Sequence, residues 1–223
     1  MEIFLKKLMI LMLVCICGSA FADNLDTKKL DDLAVKHNYN EIESIFNQYP
    51  NADPQVIAWL RLRENDWDPT LLRLLSLNLL ASIPKLTPST QDEARKIFGE
   101  MARSFARSKT EYYIDFADCK EKTAQVNQWH DMDAYTAGPL DKAVRTALKS
   151  IYSLGNSALD WAKKKRSPDD SQLPPPAIWL CGDGNILPDS DRRVARAQAF
   201  QKLEQGLNHV REKDGIGIDI DNQ

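Results

Sequence analysis

The chain has 223 residues, with 29 Lys and Arg against 32 Asp and Glu, which gives a formal net charge of −3. That length suits one domain that can bury a sizeable core. A mildly acidic chain with interspersed charges lacks the basic surface that nucleic-acid binding requires, so we expect no nucleic-acid partner.

The first 22 residues have the pattern of a secretory signal peptide. Lys6 and Lys7 precede an apolar run from Leu8 to Cys17, and Ala20-Phe21-Ala22 has small residues at the two positions that a signal peptidase reads. The apolar run is shorter than the about 20 residues that span a bilayer. We therefore predict that residues 1–22 are cleaved, that residues 23–223 are periplasmic or secreted, and that no stable membrane insertion remains. The alternative is an uncleaved N-terminal anchor.

Two cysteines, Cys119 and Cys181, remain after signal cleavage, since Cys15 and Cys17 lie within the predicted signal. Two cysteines in an oxidising compartment usually pair. The loop of about 60 residues that this disulfide closes would stabilise the fold by on the order of 4 kcal/mol through chain entropy. Two separate buried thiols are the alternative.

For the predicted mature chain, residues 23–223, the spacing of apolar residues predicts a single-domain all-α bundle of about seven or eight helices. Short helices that begin near Thr27, Asn40 and Pro54 give it a hairpin-like N-terminal half. Asp53-Pro54 and Asp68-Pro69 each place a capping Asp before a Pro at the first helical position. The helix after Pro69 is apolar almost all round, which predicts a buried position.

Further helices are predicted in the second half of the chain. One opens at Thr87-Pro88, a separate stretch covers about 110–127, and a long amphipathic helix runs from Pro139 to Ala162. Asp189 is predicted to cap a last helix, and residues 214–223 are predicted to form a flexible tail.

Residues 166–190 are predicted to form a long loop rich in Pro and Gly. Pro174-Pro175-Pro176 and Gly182-Asp183-Gly184 exclude a continuous helix there. Loops longer than about 15 residues are generally functional or held in place. We therefore expect the disulfide to tie this loop, through Cys181, to the helix that carries Cys119.

The sequence contains no motif that names a reaction. His37, His130 and His209 lack the spacing of a metal site, and the segment from Asp183 lacks the Gly and Glu of a calcium loop. Glu43-Ser44 resembles the catalytic Glu-Ser of lytic transglycosylases, but the Gly-Leu-Met-Gln-like segment that follows in that family is missing. We therefore predict no catalytic residue, metal or cofactor. The alternative is a helical cell-wall (peptidoglycan) hydrolase with an unrecognised carboxylate site.

The candidate partner-binding residues combine aromatic and acidic side chains. Trp and Tyr are common interface anchors, and a Pro-rich segment is a stiff scaffold. The candidates are Trp129, His130, Asp131, Asp133, Tyr135 and Trp179. For Trp129 and Tyr135 the alternative is core packing, and for Trp179 it is packing against the disulfide. We expect an inhibitor or immunity-type protein, or an accessory subunit of an envelope complex, whose partner is another envelope or secreted protein.

Overall fold

The computed structural model describes residues 24–66, 68–84, 87–121, 151–165, 173 and 178–214. These residues are helical apart from short connections and one isolated β-bridge, which confirms the predicted all-α class. Within the described ranges, no helix is both long enough and apolar enough to cross a membrane. The helices are α1 (Thr27–Val35), α2 (Tyr39–Phe46), α3 (Pro54–Leu62), α4 (Pro69–Ser82), α5 (Gln91–Phe116), α6 (Ile151–Lys165), α7 (Ile178–Cys181) and α8 (Asp189–Asp214).

The described residues up to Pro50 belong to one compact unit, which contains α1 and α2. Leu30 of α1 and Ile42 of α2 are fully buried. An ion pair between Lys29 Nζ and Glu41 Oε1, 2.9 Å apart, links the two helices on their exposed side. This pair of short helices is the hairpin-like start that the sequence predicts.

The second unit begins at Asn51, and its first two helices start at the predicted Asp-Pro pairs. Asp68 Oδ1 accepts hydrogen bonds from the backbone N–H groups of Thr70 and Leu71, at 2.9 and 3.1 Å. Asp53 caps α3 in the same way. Each carboxylate thereby pairs donors that the first helical turn leaves unpaired. Helix α4 is buried over most of its length, as its apolar sequence predicts.

Helix α5 is a single helix where two were predicted. It runs unbroken from Gln91 to Phe116, which corrects both the start at Thr87-Pro88 and the separate stretch over 110–127. The sequence pattern fails because the inner face of the helix becomes largely polar after Phe105. The buried polar side chains of that part are Ser108, Thr110, Glu111 and Asp115.

Helices α6 and α8 pack against α5 and against each other. Their shared core contains Ile114 of α5, Leu159 and Ala162 of α6, and Phe200 of α8. The last helix begins at Asp189 itself, so this residue lies in its first turn and is not its cap, as the sequence had suggested.

Several predictions made from the sequence concern residues that lie outside the described ranges. Residues 1–23 contain the predicted signal peptide, residues 122–150 contain the start of the long helix at Pro139, and residues 215–223 contain nearly all of the tail. Those predictions stay predictions. The described part of the long helix, α6, is helical as expected.

Candidate functional site

Cys119 and Cys181 form the predicted disulfide. Their Cα atoms lie 5.2 Å apart, and both residues are fully buried. Cys119 lies just beyond the end of α5, and not within a helix as predicted, while Cys181 is the last residue of α7. The disulfide cluster comprises the buried residues Tyr112, Cys119, Leu180 and Cys181, with Phe116, Trp179 and Ile186 packed against them.

The residues after α7 are hydrogen-bonded to the residues that follow α5. We call residues 182–188 the anchored turn. Within it, the Asn185 carbonyl accepts a hydrogen bond from the Lys120 N–H at 3.0 Å, and the Leu187 N–H donates to the Asp118 carbonyl at 2.9 Å. The predicted loop over 166–190 is therefore not irregular throughout, since it contains α7, the anchored turn and the start of α8.

Four buried charged side chains bond to one another, and one of them, Asp118, directly precedes Cys119. We call Asp115, Asp118, Arg192 and Arg196 the buried charge cluster. Arg196 Nε donates to Asp118 Oδ1 at 2.8 Å, and Arg196 Nη2 donates to Asp118 Oδ2 at 2.7 Å and to Asp115 Oδ1 at 3.0 Å. Arg192 Nη2 donates to Asp118 Oδ2 at 3.1 Å. The cluster therefore joins the end of α5 to the first half of α8.

The charge state of Arg196 follows from two opposing effects. Burial disfavours its guanidinium charge, but the hydrogen bond to Asp118 and the negative charges of Asp115 and Asp118 outweigh that effect. The pKa of Arg196 is therefore raised above its ordinary value. Arg196 stays cationic, so its role in the cluster is to pair charges and not to exchange protons.

An apolar side chain is exposed beside the disulfide. Ile178, the first residue of α7, is 50% exposed. Trp179 follows it, and its ring meets the ring of Tyr112 edge-on, with 6.3 Å between the ring centroids. Trp179 is thus partly buried against the disulfide cluster, as its alternative interpretation predicts, and its use in binding stays a prediction. Sequence reasoning missed Ile178, although it directly precedes the candidate Trp179.

Of the partner-binding candidates that the sequence suggests, Trp179 alone lies among the described residues. The remaining partner-binding residues, Trp129, His130, Asp131, Asp133 and Tyr135, lie outside the described ranges. Glu43 and Ser44 lie on α2, where Glu43 is partly buried and Ser44 is exposed. Among the described residues, no group of three or more His, Cys, Asp or Glu side chains is arranged to hold a metal ion.

Comparison with protein-family models, with curated proteins and with solved structures finds no match to this chain. The features of the chain that bear on its function are the disulfide, the anchored turn and the exposed Ile178 at the start of α7.

Proposed function

We propose that this protein is exported to the periplasm or secreted, and that it acts there by binding another envelope or secreted protein. The Cys119–Cys181 disulfide is the observation that carries the proposal, since disulfides persist in oxidising compartments and are rare in the cytosol. The signal-like pattern of residues 1–22 supports the same location.

The proposed binding surface is the exposed side of α7, at Ile178 and Trp179. The disulfide at Cys181 and the hydrogen bonds of the anchored turn fix the backbone on its C-terminal side. A backbone segment that is already fixed loses little further conformational entropy when a partner docks, so more of the contact energy appears as affinity. Trp is also enriched among the residues that dominate interface energies.

An inhibitor or immunity-type role fits such a surface. Inhibitor complexes of this kind form with little backbone movement, which requires a binding segment that is held in place before the partner arrives. A disulfide next to the segment supplies this rigidity. An accessory subunit of an envelope complex would use the same surface without changing the activity of its partner.

Site-specific photo-crosslinking in the cell of origin tests the proposal. A photo-reactive amino acid at Ile178 should crosslink one envelope or secreted protein, whereas the same amino acid at Leu62, which is 79% exposed on α3, should not. Ile178→Asp should abolish co-purification of that protein while the helical circular dichroism spectrum is unchanged. The same products at both positions, or none at Ile178, would contradict the proposed surface.

The activity of the crosslinked protein separates the two roles. If it is a toxin or hydrolase that the purified chain inhibits, the role is inhibitory, and if its activity is unchanged, the role is that of an accessory subunit. Release of peptidoglycan fragments by the purified chain alone would instead support the hydrolase alternative and count against the binding proposal.

A further inference from the structure

We propose that the Cys119–Cys181 disulfide and the docking of the first half of α8 form one redox-dependent switch, in which residues 189–200 dock on α5 only after the disulfide has formed. The switch does not depend on what the protein binds. Only its biological meaning, that the chain stays open before export and closes afterwards, rests on the proposed export.

The covalent bond and the buried charge cluster share one short stretch of backbone. Asp118, which accepts hydrogen bonds from both arginines, directly precedes Cys119. On the other side, Ile186 forms the β-bridge with Cys119, and the Leu187 N–H donates to the Asp118 carbonyl. The disulfide therefore sets the register of the anchored turn, and this turn leads directly into α8.

The charge cluster depends on that register. Asp118 is fully buried, and Arg192 and Arg196 are each 2% exposed, so all three have lost most of their hydration. Buried ion pairs compensate for this loss only when their geometry is good, because the desolvation penalty is as large as the attraction. A chain without the disulfide must find this geometry between side chains that are 74 to 81 residues apart in sequence. The covalent bond, which closes a separation of 62 residues, removes most of that entropic penalty.

Linkage makes the coupling reciprocal. If the disulfide favours docking of α8, then docking of α8 must favour the disulfide to the same extent. In a glutathione buffer, two glutathione thiols reduce the Sγ–Sγ bond, each cysteine sulfur takes up a proton, and one glutathione disulfide forms. In the envelope, a thiol oxidoreductase in its disulfide form would accept the two electrons of the reverse reaction. Both cysteines are buried, so exchange in either direction passes through an opened state.

The first test measures the thiol–disulfide equilibrium of the purified full chain in glutathione buffers, by mass spectrometry after thiol trapping. Arg196→Gln removes the central cation of the cluster and should make the disulfide at least fivefold easier to reduce. Lys202→Gln, which removes an exposed cation from the same helix, should leave the equilibrium unchanged. A smaller effect of Arg196→Gln, or an equal effect of Lys202→Gln, would overturn the proposal.

The second test reads the docking itself by hydrogen–deuterium exchange. In the Cys119→Ala/Cys181→Ala chain, amides of residues 189–200 should lose protection at least fivefold more than amides of α4, residues 69–82, which share only the loss of overall stability. Unchanged protection in 189–200 would show that α8 docks without the disulfide. An equal loss in α4 would show that the bond supports the whole fold and is no local switch. Both tests use purified protein, so a failed search for a binding partner leaves their outcome unaffected.

Discussion

Arg196 binds Asp118 through two parallel hydrogen bonds, Nε to Oδ1 at 2.8 Å and Nη2 to Oδ2 at 2.7 Å, with both side chains almost completely removed from water. The same bidentate geometry occurs between Arg61 of α3 and Glu100 of α5, at 2.6 and 2.8 Å. There the side chains are 48% and 19% exposed. The two pairs share this geometry but differ in burial, and the buried pair also bonds to Asp115 and Arg192. Both differences affect how much each arginine contributes to stability.

Removing one partner from each pair should give very different results. Arg196→Met leaves the buried negative charge of Asp118 without the hydrogen bonds and the positive charge of Arg196. Removing one partner of a buried ion pair typically lowers the free energy of unfolding by about 3–5 kcal/mol. Arg61→Met breaks a partly exposed pair in which Arg61 is about half in solvent, and should cost about 1 kcal/mol or less. Urea denaturation of the two variants measures the difference. Similar costs for the two would mean that Asp118 is accessible to water.

Removal of the disulfide should cost much of the total stability. For a sequence separation of 62 residues, the chain-entropy relation predicts a loss of about 4 kcal/mol in Cys119→Ala/Cys181→Ala. The measurement is again urea denaturation, with the oxidised parent as reference. A loss below about 1 kcal/mol would mean that the unfolded chain is already restricted without the bond.

The Asp68 cap of α4 gives a smaller and more local prediction. Asp68→Ala leaves the N–H groups of Thr70 and Leu71 without their acceptor and should cost about 1 kcal/mol. Asp68→Asn keeps an acceptor oxygen and should cost less. Asp66→Ala, which removes a carboxylate from an exposed pair with Arg63, serves as the control and should change stability by about 0.5 kcal/mol or less. Thermal unfolding of the three variants would show whether the cap acts as described.

The features that the sequence predicts correctly are those whose physical cause is local or covalent. The caps at Asp53 and Asp68 follow from an Asp-Pro pair before an apolar run. The pairing of Cys119 with Cys181 follows because no other cysteine remains once the predicted signal is removed. Neither inference requires knowledge of which helices lie side by side.

The buried charge cluster could not be predicted in this way. Hydrophobic periodicity assigns charged residues to the exposed face, whereas Asp115, Asp118, Arg192 and Arg196 all face inward. The same assumption split α5, because its inner face turns polar after Phe105. A usable signal did exist for the arginines, since Arg192 and Arg196 are four apart and therefore share one face of α8. Asp115 lies in the last turn of α5, and Asp118 lies in the turn that follows it. That the acidic residues and the arginines face each other depends on tertiary packing.

Substitutions at two helical glycines can test how closely α6 and α8 approach each other. A Cβ atom added at Gly155 of α6 would lie 2.5 Å from Leu207 Cδ2 of α8, whereas one added at Gly206 of α8 meets no atom within 4 Å. Gly206→Ala should therefore stabilise the protein by about 1 kcal/mol, because Ala favours the helix over Gly.

Gly155→Ala gains the same helix propensity, but the Leu207 side chain must move away from its rotamer, which costs about 0.5–1.5 kcal/mol. Its net effect on the unfolding free energy should be close to zero. Gly155→Leu overfills the contact between the two helices and should destabilise the protein by about 1–3 kcal/mol. Chemical denaturation of all three variants provides the comparison. Gly155→Ala and Gly206→Ala are distinguished only by the contact with Leu207. If Gly155→Ala stabilised the protein as much as Gly206→Ala does, Gly155 would not lie this close to Leu207.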